Sequence, residues 1–81
     1  MISIGQRVGK GIYSKEHSEL VERLKQARER MALSQEDVAK LLGRSQSYIS
    51  KIESGQRQIN VTQLRELAKI YQTDIGFFIN E

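Results

Sequence analysis

The 81-residue chain has room for one small domain with a thin core, and with no cysteine and one histidine it lacks both disulfides and a zinc site to brace it. Its 13 Lys and Arg against 10 Asp and Glu leave a net charge of +3, a mild basic balance that suits nucleic acid without requiring it. No apolar run approaches the ~18 residues of a membrane span, and the first residues carry Arg7 and Lys10 among glycines with no signal-peptide core, so a cytoplasmic protein is expected.

Residues 1–13, "MISIGQRVGKGIY", keep neither a helical period nor strict alternation and read as a flexible or extended arm. The domain proper is expected over 14–81. From Ser14, "SKEHSELVERLKQARERM" places Leu20, Leu24, Ala27 and Met31 on one face, the pattern of a long amphipathic helix. His17, early in that helix, is expected in solvent. Ser34 then stands before "QEDVAKLL" with Asp37 three residues on, a capping-box pattern, and Val38, Ala39 and Leu42 form the buried side. Ser45 can cap a third helix over 46–54 that stops at Gly55. Asn60, with Gln63 three residues on, caps a fourth helix whose apolar face is Leu64, Leu67, Ala68 and Tyr71. Thr73 or Asp74 can cap a short fifth helix, "IGFFIN". Five helices and no convincing strand predict an all-α domain.

Residues 35–52 make one unit. Val38 and Leu42 face inward from the second helix, Ile49 and Ile52 from the third, and Ala39 is small where the two would cross. Gly43 can adopt the positive φ that lets the chain turn sharply between them, the layout of a helix-turn-helix. At ~100° per residue, Gln46, Ser47, Ser50, Lys51 and Ser54 share an arc of about 140° on the third helix, with no apolar member. Such a face suits the major groove, where each base pair shows its own donor and acceptor pattern.

The segment "LSQEDVAKLLGRSQSYISKIESG" resembles the phage repressor and Cro-type helix-turn-helix family, also called the xenobiotic-response-element family, through Gln35, Ala39, Gly43, Gln46, Ile49, Ile52, Glu53 and Gly55. The resemblance runs roughly over residues 20–79 and implies a five-helix lambda-repressor-like DNA-binding domain. By position it assigns base reading to Gln46, Ser47, Ser50 and Lys51, a phosphate contact to Gln35, and a buried ion pair to Arg28 and Glu53. The loop "QRQINVTQ" is one residue longer than in the shortest members, which leaves Gln56, Arg57, Gln58 and Asn60 as alternatives for a phosphate contact.

The residues themselves add further expectations. Arg44 in the turn and Arg57 in the next loop flank the third helix and suit phosphate. Tyr48 sits at the border, where it could pack on the core edge or offer its hydroxyl to a phosphate. Gln35 opens a helix, where free N–H groups favour an anion. Phe77, Phe78 and Ile79 cannot all face one core, so a dimer interface is expected among them.

Together these readings predict a transcriptional regulator, more often repressor or autoregulator than activator, that binds palindromic double-stranded DNA as a homodimer. RNA polymerase or a partner protein is a further expected contact. No cofactor, metal or catalytic residue is expected. The rival reading is a protein-interaction module, antitoxin-like or co-regulatory, that uses the same fold. Lys51, Arg44 and Arg57 weigh against it. An enzyme is the remotest reading, since one histidine, no cysteine and a thin core offer little to build a reactive cleft.

Overall fold

The computed structural model describes residues 14–79; the expected arm over 1–13 and the last residue of "IGFFIN" lie outside the described residues. Among the described residues five helices follow one another: α1 (Lys15–Arg30), α2 (Gln35–Leu42), α3 (Gln46–Glu53), α4 (Val61–Ile70) and α5 (Ile75–Ile79). The fold is all-α. Among the described residues, no helix is long and apolar enough to cross a membrane.

Each helix starts where a short polar side chain replaces the missing intrahelical acceptor. The Ser14 hydroxyl accepts from the His17 amide at 3.1 Å, and the Ser45 hydroxyl accepts from the Tyr48 amide at 3.2 Å. Two starts are reciprocal boxes: Ser34 with Asp37, and Asn60 with Gln63. For α5 the Asp74 carboxylate accepts from the Gly76 amide at 3.1 Å, which favours Asp74 over Thr73 as its starting residue.

Four helices also end alike. A residue of positive φ reverses the chain, at Ala32 (58°), Gly43 (73°), Gly55 (84°) and Gln72 (49°). The next amide reaches back across the turn: Leu33 to the Arg28 carbonyl, Arg44 to Ala39, Gln56 to Lys51 and Thr73 to Ala68. Only two of the four stops are glycines. Ala32 and Gln72 adopt a conformation that costs an L-residue roughly 1–2 kcal/mol, so surrounding packing must hold them there.

The core joins Leu24 and Ala27 of α1, Val38 and Ala39 of α2, Ile49 and Ile52 of α3, Leu64, Leu67 and Ala68 of α4, and Tyr71 and Phe78. The α2–α3 pair packs most closely, while α1 bridges α3 and α5. Leu42, expected in the core, packs only at its rim and is half-buried. His17 corrects the expectation of a solvated ring. It is buried, and its Nε2 lies 3.2 Å from the Gly55 carbonyl oxygen, which requires Nε2 to carry the proton. It precedes Leu20, Leu24 and Ala27 at helical spacing, so the stripe that marked them already ran through it.

Candidate nucleic-acid interface

The third helix is gripped from behind. Ile49 and Ile52 are 1% and 2% exposed, and Glu53 and Tyr48 are buried beside them. Gln46, Ser47 and Lys51 stand exposed on the other side, with Ser50 half-buried among them and Ser54 just past the helix end. The short helix is therefore one of fixed orientation with a polar outer face.

At the inner end of that face a chain of hydrogen bonds runs into the protein. Arg28 donates through Nε to Glu53 Oε2 at 2.7 Å and through Nη2 to Glu53 Oε1 at 3.0 Å. Its Nη1 donates to the Leu33 carbonyl at 2.8 Å, tying the α1–α2 turn to the same group. The bond to Glu53 outweighs burial and raises the Arg28 pKa above its ordinary value. Tyr71 lies against the pair, its hydroxyl pushed up first by burial and then by the negative charge of Glu53. Gln35 donates its amide to Glu53 Oε1 at 3.0 Å and accepts from Gln46 Nε2 at 2.7 Å. The residue expected to hold phosphate and the residue expected to read a base are thus in direct contact.

The opposite flank is built on an aromatic ring. Arg44 and Arg57 each place a guanidinium over Tyr48, 4.6 and 4.7 Å from the ring centroid. The Tyr48 hydroxyl accepts from Gln63 Nε2 at 2.8 Å while the ring is buried at the core edge, and an accepting hydroxyl keeps its own proton to donate. Gln63 is the residue that sequence reasoning missed here; its visible role was the capping box of α4. Asn60, among the phosphate candidates, spends its side-chain oxygen on the Gln63 amide at 2.8 Å. Gly43, Arg44, Ser45, Ser47, Lys51 and Arg57 line one shallow depression beside Tyr48, which brings three cations together.

The C-terminal aromatics divide. Phe78 is 2% exposed and fills the core, which removes it from the expected interface residues. Phe77 is half-buried, with the Arg30 guanidinium 4.9 Å and the Arg23 guanidinium 6.0 Å from its centroid. Ile79 is 50% exposed. The interface expectation narrows to Phe77 and Ile79.

A family model described as a helix-turn-helix domain matches residues 19–76, a span from the first turns of α1 into α5. No match was found among curated proteins or among solved structures. The matched span contains α2, α3 and both flanks of the polar face, and on that ground the chain belongs to the helix-turn-helix domain family.

Proposed function

We propose that the protein is a DNA-binding transcriptional regulator of the phage repressor and Cro type that reads a palindromic operator as a homodimer. The observation that carries this reading is the division of α3: apolar residues and Glu53 buried, Gln46, Ser47 and Lys51 outward, cations on one flank. In this reading α3 lies in the major groove. Gln46 reads an adenine edge, Lys51 and the two serines supply further donors and acceptors, and Arg44 and Arg57 lie along the phosphates. Two copies would meet through Phe77 and Ile79, setting their recognition helices one helical turn apart, about 34 Å. Repression would follow from occupancy of promoter DNA.

The test is selection from a random duplex pool, followed by fluorescence anisotropy at two salt concentrations. An inverted repeat among the selected sequences, with specificity lost in Gln46→Ala and folding kept, is the expected result. Weak, steeply salt-dependent binding that ignores sequence would overturn operator reading and favour the protein-interaction module, in which the cations meet an acidic partner.

A further inference from the structure

We propose that His17 is a positioning residue for Arg57: from α1 it fixes the peptide that ends the third helix, and so the direction in which the next loop leaves. The inference rests on the reading that Arg57 lies along the phosphates. His17 stands in the first turn of α1 and is 9% exposed. Its Nε2 bonds to the carbonyl of Gly55, 38 positions further along the chain. Gly55 is itself buried and is the residue of positive φ that stops α3. Arg28, about three turns along α1, holds Glu53. The first helix thus grips the last residue of α3 and its stop separately.

The two grips fix different things. The ion pair holds a side chain, whereas the histidine holds backbone. A peptide plane carries the Gly55 carbonyl and the Gln56 amide as one rigid unit. That amide is engaged on its own side, donating to the Lys51 carbonyl at 3.0 Å. With both polar groups bonded, the plane cannot turn, and the chain leaves Gln56 in one direction. A glycine, with no side chain to limit its dihedrals, benefits most from such a restraint. Of the loop residues that the sequence leaves open for a phosphate, Asn60 is engaged at the start of α4. Gln56, Arg57 and Gln58 are exposed and lie at the end that His17 holds. Arg57 rests 4.7 Å from the Tyr48 centroid, a contact that sets distance but little direction. Direction must then come from the backbone. The neutral ring can supply it in one tautomer, since a proton on Nδ1 would set a lone pair against the carbonyl.

A spectrum and a variant cycle test it. With the ring neutral, long-range ¹H–¹⁵N correlation of the wild type is expected to show the Nε2–H tautomer. His17→Phe keeps a buried ring without a donor, and His17→Gln keeps a donor at comparable reach. His17→Leu serves if the larger ring does not fold. In duplex binding, at a temperature where each variant is folded, His17→Phe is expected to lower the slope of log affinity against log salt by about one, as Arg57→Ala does. His17→Gln should restore the slope. His17→Phe should add nothing in an Arg57→Ala background, because the two changes remove one contact. Hydrogen exchange of the Gln56 amide should quicken in His17→Phe and stay near wild type in His17→Gln. An Nδ1–H tautomer would overturn the inference, as would slopes that add in the double variant. If Arg57→Ala leaves affinity and slope unchanged, the phosphate reading of Arg57 itself fails. If Arg57→Ala lowers the slope and His17→Phe leaves it intact, only the role of His17 fails.

Discussion

The two flanks of α3 are held by different physics. On one side, Gln46 is anchored through Gln35, Glu53 and Arg28 by hydrogen bonds of fixed donor and acceptor order. On the other, Arg44 and Arg57 rest on the face of Tyr48, an attraction that sets distance but little direction. The difference suits two tasks. A directed amide can tell one base edge from another, whereas a cation on a ring needs only to be near a phosphate. The first flank is also rooted in the core, and the second is attached to its surface, so damage to them should look different.

The largest effect is expected from the root of the directed flank. The Arg28 side chain is 12% exposed and that of Glu53 is 3%, so Arg28→Ala strands a buried carboxylate and frees the Leu33 carbonyl. A loss of about 3–5 kcal/mol in urea unfolding is expected. A loss below about 1 kcal/mol, the level of an exposed pair, would mean that the pair is not the root of that flank.

Gly43 is the joint from which both flanks depart. No atom lies within 4 Å of a Cβ placed there, so Gly43→Ala isolates the cost of its φ of 73°. About 1–2 kcal/mol of destabilisation is expected, with both flanks disturbed together. A cost near zero would show that the turn relaxes without harm to either.

Removing the cations should barely touch stability, by about 0.5 kcal/mol or less for each of Arg44→Ala and Arg57→Ala. Their effect should fall instead on binding: weaker on all sequences alike, with the slope of log affinity against log salt reduced by about one for each arginine lost. A change in base preference at one position would break the division of labour between the flanks.

How much of this was legible in the sequence depended on whether a residue acts through its own side of a helix or through a neighbour. The five helices, their caps and the stop at Gly43 follow from local chemistry and were readable in order. Partnership was not. Gln35 and Gln46 are eleven positions apart, and periodicity gives each a face without saying that the two faces meet. Tyr48 was ambiguous for the same reason: its partner Gln63 comes from another helix and already had a local role. His17 was the opposite case, since its spacing was visible and a polar identity outweighed it. Phe78 and Phe77 are adjacent and indistinguishable by type; only the docking of α5 on α1 separates the buried ring from the one covered by arginines.

The smallest expected effect separates the flanks by pH. The Asp37 carboxylate accepts from the Ser34 backbone N–H at 2.8 Å, and hydrogen bonding to Ser34, the backbone first, holds its carboxyl below its ordinary value of 3.8. A carboxyl more acidic in the folded chain than in the unfolded one stabilises fully above the unfolded value and loses that contribution as pH falls through the lowered one. Gln35 is the first residue of the helix this box starts, so acid should loosen the directed flank at its middle link. The cation flank, made of Arg44, Tyr48, Arg57 and Gln63, holds no carboxylate. Urea midpoints of wild type and Asp37→Asn should therefore differ near neutrality and converge from about pH 5 downward. The Gln46 amide should gain mobility over the same range. If the midpoints diverge as the solution is acidified, the sign is wrong, and the start of α2 does not depend on the charge of Asp37.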